Sequence, residues 1–399
     1  MYIALGAFWI LALQTFSYVP TFAPLYYLSK VALPLLGLVV FTFWWGLKTK
    51  VPAMLNVWLM VVILFMTAAS ALNAWYFFEQ ELLLGLIAQV KLWSFSYFYL
   101  VFILLALLRP SEETVTKSFL IISVPLLFFY FGLQLFTDPQ SFYTIDSAIV
   151  KYTPVKGYYY LLPMPFLKIG LFYYARKVFT SNDFLSTALF MLFLLYFLMF
   201  FKQRSQQVIV LLAVFLIWWS TVRLEVKIGL FLPAFLFSVV GFLRVFVADE
   251  GYFSYQSATM VTRYQTVEYV IDAFAREPVA LLLGFGGLSS FNDVTLQTMY
   301  GSDFWLSDIG VVGLCYEYGL LGICLLFLYF PLVLRTTRNF SSGNTSLLLL
   351  ALRDYVIIEA FIFPINVGIT MYSGIYASIA AVLIFFASNN REKTHVRLH

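Results

Sequence analysis

Residues 118–136 read SFLIISVPLLFFYFGLQLF, nineteen positions without one charged side chain. At about 1.5 Å per residue, a helix of that length nearly spans the ~30 Å hydrocarbon core of a bilayer. Inside a membrane an extended or irregular segment would leave its N–H and C=O groups unsatisfied, so such a stretch is expected to be helical. The same pattern repeats on both sides of it. Apolar runs near 2–19, 24–46, 52–72, 82–108, 158–175, 184–201, 207–222, 228–247, 305–333, 346–363 and 368–388 alternate with polar breaks. Together they predict an all-α, polytopic membrane protein with about twelve transmembrane helices, forming one domain over residues 1–399.

Composition agrees. Of 399 residues, 62% are hydrophobic and 11% charged, where an ordinary soluble chain carries roughly 25% charge. The chain starts inside an apolar run, with no basic segment or small-residue cleavage site, so the first span is expected to stay as an anchor. The two cysteines, Cys315 and Cys324, lie nine apart in one run, which sets them on opposite helix faces as packing residues rather than a disulfide. The two histidines, His395 and His399, fall in the last few positions. No His/Cys metal site and no cofactor are therefore expected. Phosphate-binding loops, H-E-x-x-H, G-x-S-x-G and Asp-x-Asp patterns are all missing, so any catalysis should be metal-independent.

The distribution of Lys and Arg sets the orientation. With the N-terminus in the cytoplasm, the inside connections hold thirteen basic residues, among them Arg109, Arg176, Lys177 and Arg335. The outside ones hold only Lys151, Lys156, Lys202, Arg204, Arg263 and Arg276, while Lys30, Lys91, Lys168, Arg244 and Arg353 fall within spans. The positive-inside rule then places both termini in the cytoplasm. Charges inside spans, Glu359 included, must pair with one another or line a cavity.

Two outer connections are long, 137–157 and 248–304. The second lies between spans 9 and 10 and has a helical pattern over 257–277 that stops before Pro278, followed by Gly284, Gly286 and Gly287. Stepping 100° per residue groups Met260, Arg263, Tyr264, Val267, Val270, Ile271 and Phe274 on one face. Glu268, Asp272 and Arg276 fall on the polar side. An arginine on an apolar face needs an anionic partner, which either a lipid phosphate or a substrate phosphate could supply. The turn 201–207, FKQRSQQ, opens onto the next span; it reads either as a solvated hairpin or as an anion site built from Arg204 and free N–H groups. Asp308 sits near the start of the span after the long loop, as a helix cap or as a base for a hydroxyl proton. Glu317 is nine residues further on, half a helical revolution away, and is not expected to share a substrate with Asp308. Gly319 and Gly322 read as helix-packing positions.

Topology and residues together resemble the bacterial O-antigen polymerase and O-antigen ligase superfamily, the Wzy and WaaL type. Arg204 and Arg263 match the family's arginines at the outer end of a central helix and on the loop helix. The progression from Arg263 through Pro278 to Gly284, Gly286 and Gly287 is similar as well. In the register of the ligase signature, Asp308 stands where the histidine belongs and Ile309 where a polar neighbour belongs, ahead of Gly319 and Gly322. That departure resembles the polymerase branch.

The resemblance implies that 248–304 is a periplasmic loop and that the site faces the periplasm from the bacterial inner membrane. The expected donor is an oligosaccharide on undecaprenyl pyrophosphate, and the acceptor is a sugar hydroxyl. It implies catalytic roles for Asp308, Arg263 and Arg204, with Lys202, Tyr264, Gln207, Arg276 and Asp303 as substrate-binding groups. Membrane lipids, a chain-length regulator and a flippase are the expected partners, and nucleic acid is not. The alternatives are an O-antigen ligase acting on lipid A core and, from another class, a polysaccharide flippase or transporter.

Overall fold

The computed structural model describes residues 2–12, 28–44, 51–143, 150–153, 157–160, 164–181, 183–200, 204–221, 258–289, 292, 295–301, 304, 306–340, 345–365 and 368–396. The expected span 228–247 lies outside the described residues. The protein is mostly helical, and four helices are long and apolar enough to cross a membrane: Ala53–Phe78, Val90–Leu108, Glu112–Phe136 and Val311–Thr336. In chain order the helices are α1 (Tyr2–Ala12), α2 (Leu33–Trp44), α3 (Ala53–Phe78), α4 (Leu82–Ala88), α5 (Val90–Leu108), α6 (Glu112–Phe136), α7 (Pro165–Thr180) and α8 (Phe184–Phe200). They continue as α9 (Arg204–Thr221), α10 (Ala258–Arg276), α11 (Pro278–Leu283), α12 (Leu296–Tyr300), α13 (Val311–Thr336), α14 (Leu347–Ile362) and α15 (Ser373–Val396). Among the described residues one sheet occurs, an antiparallel hairpin of β1 (Val150–Thr153) and β2 (Gly157–Tyr160) in the register Val150 to Tyr160.

Helix starts follow local chemistry. Ser111 Oγ accepts from Thr114 N at 3.1 Å ahead of Glu112 and Glu113 in the first turn of α6. Asp183 caps α8 and Ser346 caps α14 in the same way, while proline opens α7 and α11. These groups satisfy N–H donors that the helix itself leaves free and favour its positive end. Run 82–108 does not form one continuous span. It is interrupted at Gln89 (φ −94°, ψ 10°) and tightens to a 3₁₀ turn over Ser94–Ser96, where Ser373 Oγ donates to the Lys91 carbonyl.

The outside of the bundle is apolar. α6 exposes Ile121, Phe128, Phe129 and Phe136, α8 exposes Phe184, Leu185 and Met199, and α3 exposes Leu72, Trp75 and Tyr76. Such faces fit lipid, not water. The centre holds α7, buried from Phe166 through Phe172 with Lys168 among them, and α15, buried from Ile375 through Ala387; a stretch apolar all round, as α15 is there, belongs in the centre. α15 packs along α5, and α7 packs against α6, α8, α9 and α14. A second apolar cluster unites Val270, Ala280, Phe285, Phe304 and Tyr316 with Phe77, Phe78 and Phe274. It fastens α10, α11 and the 3₁₀ turn Leu306–Ile309 onto the C-terminal end of α3 and the N-terminal end of α13.

Candidate functional site

α13 is broken in its N-terminal half. Gly319 takes φ 67°, ψ −179°, outside the helical region. At this interruption the carbonyls of Tyr316 and Glu317 accept hydrogen bonds from Phe285 N at 2.7 Å and Gly286 N at 3.1 Å. Non-helical backbone inside a membrane bundle persists only where protein satisfies it, and here the glycine loop does so. Gly284 and Gly286 hold φ of 81° and 89°. A Cβ on Gly284 would meet the backbone of Glu317, and one on Gly286 the backbone of Ser70 and Ala74. Only glycine combines that conformation with that approach.

A continuous polar network surrounds the break. Lys91 Nζ donates to Glu317 Oε1, and the two side chains are 30% and 12% exposed. Gln89 Nε2 donates to Ser70 Oγ at 2.8 Å and to Glu317 Oε1 at 3.3 Å, while Gln89 Oε1 accepts from Tyr318 OH at 2.8 Å. Gly287 N donates to Ser70 Oγ at 2.9 Å, Gln80 Nε2 to the Gly287 carbonyl at 3.2 Å, and Ser289 N to Gln80 Oε1 at 2.7 Å. Asn73 Nδ2 reaches the carbonyls of Leu283 and Gly284 at 2.9 and 3.0 Å. α3, the α4–α5 junction, the loop and α13 are thereby tied at one point. A carboxylate and an ammonium within an apolar bundle are costly unless they meet, and here each completes the other.

A second set of charges joins α7 to α14. Lys168 Nζ lies 3.2 Å from Glu359 Oε1, and Glu359 Oε2 accepts from Tyr376 OH at 2.7 Å. Arg176 grips Asp354 with both Nε and Nη2, the latter at 2.7 Å. Arg353 Nη1 donates to the Phe340 carbonyl at 3.2 Å. The expected pairing of intramembrane charges thus holds for Lys91 and Lys168. Arg176, assigned by sequence to a connection, instead sits in a nearly buried pair, 11% exposed. Lys30's side chain and Arg244 lie outside the described residues.

The expected site residues are distributed as follows. α10 packs on α11, on the turn Leu306–Ile309 and on α13, which brings the helix bearing Arg263 against the turn bearing Asp308. Its inward side is centred on Thr266 and Val270, and Arg263, Tyr264 and Ile271 are exposed. Angular arithmetic gives the mean direction of the apolar residues of α10. The cluster around Phe285 and Tyr316 decides which of them face inward. Arg276 is exposed in the last turn of α10. Arg204 opens α9, which packs on α7 and α14, a different part of the bundle from the surface that holds α10. Gln207 Nε2 donates to the Leu198 carbonyl at 2.9 Å. Lys202 and Asp303, and the side chains of Arg204 and Asp308, lie outside the described residues.

Lys91, Gln89 and Glu317 were not among the expected site residues. Their signal in the sequence is a lysine and a glutamate within apolar runs, and half-revolution arithmetic set Glu317 aside. That arithmetic assumes one helix from Asp308 onward. A 3₁₀ turn and Gly310 (φ 59°, ψ −130°) separate them instead. Both cysteines are free. Among the described residues no three His, Cys, Asp or Glu side chains come together as a metal site. No family model matches the chain, and no curated protein matches it.

Proposed function

We propose that this protein is a metal-independent membrane glycosyltransferase of the Wzy type. It would polymerise lipid-linked oligosaccharide repeat units of an O-antigen, capsule or exopolysaccharide on the periplasmic face of a bacterial inner membrane. The observation that carries this reading is the packing of α10, which bears Arg263, directly on the turn Leu306–Ile309, which bears Asp308. A cation for a diphosphate and a carboxylate for a hydroxyl proton then belong to adjoining elements at one end of the bundle. The fuller topology, about twelve spans with both termini cytoplasmic, belongs to the same proposal.

In the proposed reaction the acceptor hydroxyl oxygen attacks the anomeric carbon of the donor glycan. The bond from that carbon to the undecaprenyl pyrophosphate oxygen breaks, and the pyrophosphate leaves with the electron pair. Arg263 stabilises the charge that develops on it, and Asp308 takes the hydroxyl proton; Arg204, which opens α9 on a different part of the bundle, is left without a part in this step. Tyr264, Arg276 and Asp303 would hold the saccharide and its carrier, and Lys202 and Gln207, beside and on α9, would meet the substrate away from the reacting groups. Membrane lipids surround the site, and a flippase and a chain-length regulator are the partners such a reaction calls for.

The test is glycan length in a strain whose own copy is deleted and replaced by variants. Arg263→Ala is expected to abolish chain extension, leaving single repeat units at normal protein abundance, and Arg276→Ala to be milder. Equal, near-normal polymer in both removes Arg263 from catalysis. Full activity of Asp308→Asn returns that residue to the role of helix cap. Undecorated core instead of single units would assign a ligase. The break in α13 beside a half-buried ion pair favours a second reading, a transporter with discontinuous helices; retention of lipid-linked units on the cytoplasmic side of the deletion strain would select it.

A further inference from the structure

The Lys91–Glu317 pair lies where three interruptions meet: the α4–α5 junction at Gln89, the break of α13 at Gly319 and the loop 284–289. Glu317 carries two loads there. Its carbonyl accepts from Gly286 N, and its carboxylate lies so close to Gly287 that a Cβ on that residue would collide with Oε1. Lys91 supplies the neutralising charge, with its ammonium 5.6 Å from the centre of the Tyr318 ring. Gln89 spans the gap, touching both Glu317 and Ser70, and Ser70 in turn accepts from Gly287 N. Removing either charge leaves the other uncompensated inside the bundle, which loosens everything bound to it.

The loop so held is the direct continuation of α10 and α11. We infer that Lys91 and Glu317 are positioning residues: their ion pair latches the loop 284–289 into the break of α13 and thereby fixes the Arg263 helix over the Asp308 turn. This inference rests on the proposed glycosyl transfer only for its consequence on rate. The latch itself is a property of the fold. Its release lifts α11 from α13, and with it α10, without touching a group assigned to bond making or breaking.

The chain carries its own reporter. Cys315 is 7% exposed, and its Sγ lies 4.0 Å from the Leu281 carbonyl of α11. Lifting α11 therefore uncovers this thiol, and its labelling rate follows the population of the undocked state. In a Cys324→Ser background, N-ethylmaleimide should label Cys315 slowly in the otherwise native protein. Labelling should be about tenfold faster or more in Glu317→Gln and Lys91→Met, and slow again in Lys91→Arg, which keeps the charge. Lys168→Met disturbs a more deeply buried pair, away from the loop, and should leave Cys315 protected. Native-like labelling in both Glu317→Gln and Lys91→Met overturns the latch, and so does equal exposure of Cys315 in Lys168→Met. With the latch established, chain extension should fall with Cys315 exposure across the series and recover in Lys91→Arg. Unchanged extension in a variant with an exposed Cys315 overturns the positioning role. A chain that extends no glycan at all fails the proposed function alone, because the labelling series still decides the latch.

Discussion

Gly284 and Gly301 both hold positive φ, 81° and 107°, in opposite surroundings. A Cβ at Gly301 meets nothing within 4 Å, whereas one at Gly284 runs into the backbone of Glu317 and Tyr318. Alanine at Gly301 therefore costs only backbone strain, about 1–3 kcal/mol. Alanine at Gly284 adds a collision that no side-chain rotation relieves, for about 3 kcal/mol or more. Thermal unfolding of the detergent-purified variants should show a much lower midpoint for Gly284→Ala than for Gly301→Ala. Equal midpoints would mean that the loop does not sit in the break of α13. At this scale the sequence shows which glycines follow Pro278, but not that one of them touches a backbone more than thirty positions away.

At the scale of elements, α7 and α14 are joined by two ion pairs bridging 191 and 178 positions of chain. Lys168→Met strands the Glu359 carboxylate between them and is expected to cost about 3–5 kcal/mol. The double variant Lys168→Met/Glu359→Gln removes both charges and keeps an acceptor for the Tyr376 hydroxyl, so it should recover most of that loss. Urea or thermal unfolding of the three proteins measures the coupling, and simple additivity would deny it. α10 makes a related point about legibility. Its helical pattern and its end before Pro278 can be read directly, yet its buried side is set by Phe285, Phe304 and Tyr316 from elements it meets only on folding.

At the scale of the whole molecule, the proposed topology assigns the two ends of the bundle to opposite sides of the membrane. Arg109 and Arg338 follow α5 and α13 at one end, and α10 with Arg276 docks at the other. The proposed topology predicts that, with the native cysteines replaced by serine, Arg276→Cys reacts with a membrane-impermeant maleimide in cells whose outer membrane is permeabilised. Arg338→Cys should react only after lysis. Reaction of both in intact cells would sink the assignment of the two ends to opposite sides of the membrane.

The sequence by itself determined the helical class and an apolar exterior, because apolar runs the length of a bilayer satisfy their backbone groups best as helices, four of which are long and apolar enough to cross a membrane. It also encodes helix starts locally, since Ser111, Asp183, Ser346, Pro165 and Pro278 act on their own first turns, although the run expected to be a span from 158 is a strand over Gly157–Tyr160 and becomes helix only at Pro165. The tertiary structure alone decided which charges meet and where spans break. Lys91 finds Glu317, and Lys168 finds Glu359, only after nearly featureless apolar faces have packed. Gly319 departs from the helix because Phe285 N and Gly286 N arrive from elsewhere to bond the carbonyls of Tyr316 and Glu317. Local sequence encodes hydrogen bonds within a turn. Those between distant segments depend on which surfaces fit, and that information is spread over the whole chain.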